Sequence, residues 1–277
     1  VALFEQAGVP IPEKGATLAE IVEASVEVTK ATGVDIPFTM DRSGHRFSGP
    51  AFSYGSHYIV DGKFAFPDDA AKAYIEDLYK WTQSGAFPKE MWGAAGGSRY
   101  KSMGEEFIAG NVVTYFAGNW MVNPFTEQIG DAFEWRALDA PCGDGGCIPM
   151  PGGTYIAAFK HSENPEALGK FVQYLGSEKV QRELAERFVI IPGANLGAIN
   201  YQINNPSAKA SMAVFARNAP AVSDEAREWI GTLGVNAVYN SIVTRVTQLI
   251  VGELTLDQTF ERLASDVGEA EAARPKQ

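Results

Sequence analysis

Cysteine and histidine are scarce in this chain. Its 277 residues include two cysteines, Cys142 and Cys147, and three histidines, His45, His57 and His161. The histidines lack the spacing of metal ligands, so we expect no metal site and no cofactor. The cysteines enclose four residues, three of them glycine, which lets the two sulfurs meet with little strain. A disulfide is favoured and indicates an oxidising compartment; two free thiols or half of a metal site are the alternatives.

Positive charge and long apolar runs are also lacking. The formal net charge of −11 would repel phosphate groups, which argues against nucleic acid as a partner. The sequence contains no run of about 18 apolar residues that could cross a membrane. No signal peptide is visible either, but the chain opens with Val1 rather than methionine. We therefore expect a processed or truncated N-terminus, which leaves export open.

The remaining composition is that of a globular protein of one large or two modest domains, with 45% apolar and 21% charged residues. Predicted strands alternate with predicted helices. The strands are 112–116, 155–159 and 189–192, and the main helices are 18–31, 68–84, 166–175, 206–215 and 225–252. The region 42–63 is rich in glycine, serine and aromatic residues and is predicted to be an irregular loop with short strands. The alternation predicts an α/β protein with a mostly parallel sheet.

The most informative feature is a tryptophan in a glycine-containing turn, followed later in the chain by a second glycine-containing turn. Gly118-Asn119-Trp120 follows one predicted strand, and Pro151-Gly152-Gly153 precedes the next. The apolar face of a pyranose stacks on an aromatic ring, while its hydroxyls take hydrogen bonds from polar groups nearby. Taken alone, the pattern favours a core tryptophan flanked by ordinary turn glycines. The rest of the chain reverses this preference and favours a site for a neutral sugar or polyol.

Four further motifs occur in order across nearly the whole chain. They are 3–10 (LFEQAGVP), 107–120 (from FIAGNVV to GNW), 151–175 (PGG, NPEA and FVQYL) and 251–258 (VGELTLDQ). Each is weak singly, but together they resemble the extracellular solute-binding proteins of ABC transporters. The resemblance is to the sugar-binding branch that includes maltose-binding protein.

This resemblance implies an α/β fold of the periplasmic-binding-protein-like type II, built from two lobes. Relatives carry roughly a hundred residues ahead of the motif at 3–10, about one domain of chain. We therefore expect a fragment in which most of the N-terminal lobe is missing. By the same analogy, residues 1–148 and 198–277 belong to the C-terminal lobe, and residues 149–197 cross over to the N-terminal lobe.

The resemblance also implies a mechanism. The lobes of relatives close by hinge bending on a sugar or polyol, and the permease subunits of an ABC transporter recognise the closed form. We expect a monomeric, non-enzymatic binding protein in the periplasm, or one anchored outside the cell membrane. A ligand sensor for a receptor is an alternative. A glycoside-processing enzyme using Glu105, Glu106 and Asp139 is disfavoured, because no catalytic motif accompanies these carboxylates.

Site residues carry over from relatives position by position. Trp120 would stack on the sugar and Asn119 would add a polar contact, while Gly152 and Gly153 would offer backbone N–H groups. Further candidates that match polar or aromatic contacts in relatives are Thr154, Tyr155 and Tyr239.

A second group of candidates lies in the region 42–63, with loop packing as the alternative role. These candidates are His45, Arg46, Phe47 and Tyr54. Many relatives place a ligand-contacting arginine after the position of Pro192, where this chain has Gly193-Ala194-Asn195. The arginine contact is therefore not expected, and Asn195 would offer an uncharged hydrogen bond instead.

Overall fold

A computed structural model describes residues 1–92, 102–153 and 156–275. The helices are α1 (Ala2–Ala7), α2 (Leu18–Thr32), α3 (Gly44–Ser53), α4 (Asp69–Ser84), α5 (Met103–Ile108), α6 (Val122–Ile129), α7 (Pro165–Leu175), α8 (Glu178–Phe188), α9 (Pro206–Asn218), α10 (Asp224–Gly231), α11 (Val235–Ile250) and α12 (Leu256–Ala272). The strands are β1 (Ile36–Met40), β2 (Ile59–Val60), β3 (Lys63–Phe64) and β4 (Val112–Phe116). The protein is a helix-rich α/β fold.

Helix ends lie where the sequence places their caps. The Thr17 side chain accepts a hydrogen bond from the backbone N–H of Glu20, and Glu20 reaches back to Thr17 in a capping box. Asp68 accepts from the backbone N–H of Ala71 at the start of α4. Gly85 ends α4 with φ of 80°, a left-handed conformation that glycine adopts without strain. The helices predicted over 18–31 and 68–84 are confirmed.

Helix α3 corrects the prediction of an irregular loop over 42–63, whereas the short strands expected in that region are present as β2 and the start of β3. The Ser43 side chain caps α3 by accepting a hydrogen bond from the backbone N–H of Arg46. Glycine and proline within α3 lower its intrinsic helix propensity. All of its residues except His45 are buried, so tertiary packing outweighs that propensity.

The predicted sheet is smaller than expected. β1 pairs with β4 in parallel, with Ile36 opposite Val112 and Met40 opposite Phe116, while β2 and β3 form a short antiparallel hairpin. The strands predicted at 155–159 and 189–192 do not form among the described residues. Val189 instead ends α8 in a left-handed conformation. An apolar run becomes a strand only when a neighbouring strand pairs with its backbone. Neither 156–159 nor 189–192 pairs with another strand within the part of the chain that the structure describes, and Tyr155 lies outside that part.

Contacts within the chain define two compact units. Unit 1 comprises Val1–Ala117, Leu138–Pro151 and Arg217–Gln277, and unit 2 comprises Gly118–Ala137 and Gly152–Ala216. The lobe boundaries at 148 and 197 stay a prediction. In unit 1, the buried core is centred on Tyr58, whose ring stacks on Phe66 at 4.8 Å and lies 4.6 Å from the ring of Trp229.

Unit 2 has a smaller core and a more apolar surface. The rings of Phe125 and Trp135 meet edge to face at 5.4 Å. Apolar side chains that remain exposed on this unit include Ile156, Phe159, Phe171, Tyr174 and Phe188. Among the residues described, no helix is long and apolar enough to span a membrane.

The core of unit 1 provides a stability prediction. Phe47 is fully buried, with its ring 4.7 Å from that of Tyr74. We expect Phe47→Ala to lower the free energy of unfolding by about 3–5 kcal/mol, because it removes buried apolar surface and leaves a cavity. Urea denaturation measures this loss. Exposed Phe171→Ala is the matched control and should change stability by about 0.5 kcal/mol or less. Equal losses in both variants would contradict the placement of Phe47 in the core.

An ion pair on the surface of unit 1 predicts pH dependence. His57 Nδ1 lies 2.9 Å from Glu225 Oε2, and the His57 backbone N–H donates to Asp68. The hydrogen bond to Glu225 raises the pKa of His57 above its ordinary value, and the charges of Glu225 and Asp68 add to the effect. A raised folded-state pKa stabilises the fold fully below the unfolded pKa of about 6.5. That contribution disappears as pH rises through the higher folded-state value.

We therefore expect the stability difference between the unchanged protein and His57→Gln to shrink as pH rises from about 5 to 8. Urea unfolding at each pH measures the difference. The effect should be small, since the imidazole is largely exposed and screened by solvent. A difference that grows with pH would have the wrong sign for this pair.

Candidate functional site

One edge of the parallel strand pair gathers polar side chains in unit 1. Met40 and Phe116 lie opposite each other at the carboxyl ends of β1 and β4. Asp41 follows directly and accepts a short hydrogen bond from the Tyr115 hydroxyl. Ligands of open α/β sheets bind outside the carboxyl ends of the strands. Asp41 therefore stands where such a fold presents functional groups.

Arg46 adds a buried positive charge beside this edge. It is 7% exposed, and its Nε lies 3.5 Å from Asp41 Oδ2. Burial lowers the pKa of Arg46, and the neighbouring Asp41 acts in the opposite direction. For Tyr115 the direction is the opposite: burial and the hydrogen bond to Asp41 raise its pKa far above the usual range, so this hydroxyl stays protonated. Asp41, Arg46 and Tyr115 thus form one linked polar cluster.

His45 and Tyr239 lie side by side next to Arg46. Their rings meet edge to face, with centroids 6.1 Å apart. The His45 ring is half-buried, and its Nε2 lies 2.7 Å from the carbonyl oxygen of Pro151. A carbonyl only accepts, so Nε2 carries a proton. Burial, followed by the charge of Arg46, lowers the pKa of His45 and favours the neutral ring.

Tyr239 presents its ring rather than its hydroxyl. The hydroxyl oxygen is buried and makes no hydrogen bond within the described residues, although Ser48 and Trp229 lie beside it. Burial raises the pKa of Tyr239 to about 12. Gly44 faces this residue closely, since a Cβ there would lie 2.6 Å from Tyr239 Cβ. This glycine lets the start of α3 approach α11.

The tryptophan predicted as the stacking ring lies on the surface of unit 2. Trp120 belongs to a single 3-10 turn, Asn119–Met121, and is 44% exposed. Its ring folds back over Gly118, where a Cβ would overlap the indole. A side chain at position 118 would therefore require the indole to move from this position. Asn119 is partly buried, and Gly152 and Gly153 are exposed.

Two sequence-predicted candidates have other roles in unit 1. Phe47 is fully buried in the core and offers no surface to a ligand, because α3 turns it inward where a loop was expected. Tyr54 is half-buried, and its hydroxyl donates to Asp77 Oδ2 at 3.0 Å. Thr154 and Tyr155 lie outside the described residues.

Asp41 and Tyr115 are the candidate residues that sequence reasoning missed. Asp41 had a usable signal, since a polar residue directly after a buried strand marks the edge where ligands bind. Tyr115 had none, because its partner is 74 positions away in the sequence.

Two of the three carboxylates considered for an enzyme, Glu106 and Asp139, have structural partners instead. Asp139 accepts from Arg217 Nε at 2.9 Å and from Asn218 Nδ2 at 2.9 Å. The hydrogen bond from Arg217 lowers the pKa of Asp139, which disfavours a role as a general acid. Glu106 accepts from Asn111 Nδ2 at 2.8 Å. These contacts join segments of unit 1.

The two cysteines form a disulfide, as favoured from the sequence.

Unit 2 also has an open polar pocket of about 460 Å³. It is lined by Asn123, Thr126, Gly130, Asp131, Gln202, Ile203, Asn204, Asn205 and Pro206. This lining contains no aromatic ring on which a pyranose could stack.

Comparison with known proteins identifies the family. Residues 1–216 match the profile of the family described as bacterial extracellular solute-binding protein. The chain belongs to this family, whose members bind solutes rather than catalyse reactions. No curated protein matches the sequence.

Solved structures share the fold at low sequence identity. The GacH receptor of Streptomyces glaucescens, solved unliganded and with acarbose, has a TM-score of 0.77 at 19% identity, covering 99% of this chain and 68% of its own. The sugar-binding protein MalE of Xanthomonas citri has a TM-score of 0.70 at 19% identity, and the match covers 98% of this chain and 67% of the MalE chain. A solute-binding protein of Thermotoga lettingae, bound to α-D-tagatose, has a TM-score of 0.70 at 17% identity. That match covers 97% of this chain and 68% of the Thermotoga chain. The expected fold class is confirmed.

The exposure of Trp120 is open to direct test. Trp92, Trp135 and Trp229 are buried, and Trp81 is only partly exposed. We expect Trp120→Phe to remove most of the fluorescence that acrylamide quenches readily. Trp229→Phe is the control and should leave the quenchable fraction nearly unchanged. Unaltered quenching in Trp120→Phe would mean that the indole is shielded from solvent.

Proposed function

We propose that the protein binds a neutral sugar or polyol outside the cytoplasmic membrane and delivers it to an ABC transporter. The single observation that carries this proposal is the exposed Trp120 indole on a glycine-supported turn, in a chain that belongs to the solute-binding family. Aromatic faces suit the apolar face of a pyranose. The acarbose bound by the GacH receptor and the α-D-tagatose bound by the Thermotoga lettingae protein support the same ligand class.

The roles follow from the side chains. Trp120 stacks on the sugar ring, and Asn119 supplies a hydrogen bond. Gly152 and Gly153, which are exposed and carry no side chain of their own, offer backbone N–H groups. In unit 1, His45 and the Tyr239 ring edge form the polar and aromatic surface. Asp41 accepts from a sugar hydroxyl with its free lone pairs, held in place by Tyr115 and Arg46.

Transport would follow the mechanism that the family resemblance implies. Two lobes close on the ligand by hinge bending. The ligand favours closure only to the extent that it binds the closed form more tightly than the open form. The permease subunits then recognise that form. A monomer suffices for this role, and the periplasm or the outer face of the membrane is the proposed location. The disulfide is consistent with either place.

A thermal-shift screen tests the ligand class. The panel contains neutral monosaccharides, maltose-type and chitin-type oligosaccharides, polyols and, for contrast, amino acids. At a hundredfold excess over Kd, a bound sugar should stabilise the protein by about 2.7 kcal/mol and raise Tm. Stabilisation by amino acids alone would overturn the assignment to sugars.

Variants then test the site. Trp120→Ala should weaken binding of the best sugar about two- to tenfold, as expected for loss of one aromatic contact. Phe188→Ala removes another exposed aromatic residue of unit 2 and should leave Kd unchanged. Titration calorimetry measures both. Equal Kd in the two variants would remove Trp120 from the site.

A further inference from the structure

The segment 142–151, here called the strap, lies along one face of α3. Residues four apart share a helix face, and α3 presents His45, Gly49 and Ser53 in this way. Each of the three contacts the strap at a different point. The strap is the last part of unit 1 before the chain enters unit 2 at Gly152.

Ser53 holds the beginning of the strap. Its carbonyl accepts from the Gly145 N–H at 2.9 Å, and its hydroxyl accepts from the Ile148 N–H at 3.3 Å. A Cβ at Gly143 or Gly145 would overlap the carbonyl oxygens at the end of α3. The disulfide closes this same turn, so its shape is fixed covalently and by close packing.

Gly49 and His45 hold the end of the strap. A Cβ at Gly49 would lie 3.1 Å from Met150 Cβ, which is tighter than ordinary van der Waals contact. His45 Nε2 donates to the Pro151 carbonyl at 2.7 Å. The strap is therefore fastened to α3 up to the residue at which the chain leaves unit 1.

We propose that His45, Gly49 and Ser53 are positioning residues that fix the direction in which the chain leaves unit 1 at Pro151. This inference rests on the proposed function, since that direction matters for hinge closure. His45 also contacts Tyr239, so one side chain links the candidate ligand surface to the start of the crossover. A ligand that shifts the His45 ring would thereby shift the anchor of the hinge.

Distance measurement without any ligand tests this role. Spin labels on unnatural amino acids replace Lys80 in unit 1 and Lys170 in unit 2, both of which are exposed, and the disulfide stays intact. We expect Gly49→Val and His45→Ala to broaden the distance distribution between the labels. His45→Gln keeps a donor for Pro151 and should restore the original width. Peptides covering 143–153 should exchange amide hydrogen about fivefold faster in His45→Ala.

Ser25→Ala is the matched control, because it removes a buried hydroxyl of unit 1 that bonds to Thr114, far from the strap in sequence. It should leave the distance distribution unchanged. If Gly49→Val does not fold, His45→Ala and His45→Gln decide the question. An unchanged distribution in folded His45→Ala, or equal broadening in Ser25→Ala, overturns the proposal. Neither result affects the sugar screen, so failure of the strap and failure of sugar binding are distinguishable.

Discussion

The parallel pairing of β1 with β4 is the constraint on which the candidate site depends. It joins segments about 76 positions apart and aligns Met40 with Phe116, so that both strands end at the same edge. Asp41 can then accept from Tyr115, and Arg46 can pair with Asp41. Without this register, Tyr115 would not reach Asp41, and the pair that Asp41 forms with the nearby Arg46 would lack its third member. The pairing creates a polar cluster from residues that are unremarkable in the sequence.

Helix α3 connects this cluster to the rest of the molecule through its opposite faces. Phe47 and Ala51 point into the core of unit 1, while His45, Gly49 and Ser53 carry the strap. Small residues allow close contact on both surfaces: a Cβ at Gly44 would overlap Tyr239, and a Cβ at Gly49 would make a tight contact with Met150. The glycines that made this region resemble a loop are the residues that let a helix pack there.

Much of the helical framework was predictable from local chemistry. Thr17, Asp68 and Thr255 cap helices with their own side chains, and Gly85 ends one, so these boundaries need no information from distant residues. The disulfide was also predictable locally, because only four residues separate the two cysteines. The strand predictions were wrong for the described residues 156–159 and 189–192, because strand formation depends on a partner backbone that a local pattern does not reveal.

The sequence by itself determined the helix caps, the cysteine pair, the acidic charge and the motifs that place the chain among solute-binding proteins. Only the tertiary structure decided which candidates reach the surface. Phe47 and His45 are two residues apart, yet one is fully buried and the other faces Tyr239 and Pro151. Exposure depends on which helix face packs on the core, and contacts distant in sequence set that orientation. The same reason explains why Tyr115 and Asp41 became visible only in three dimensions.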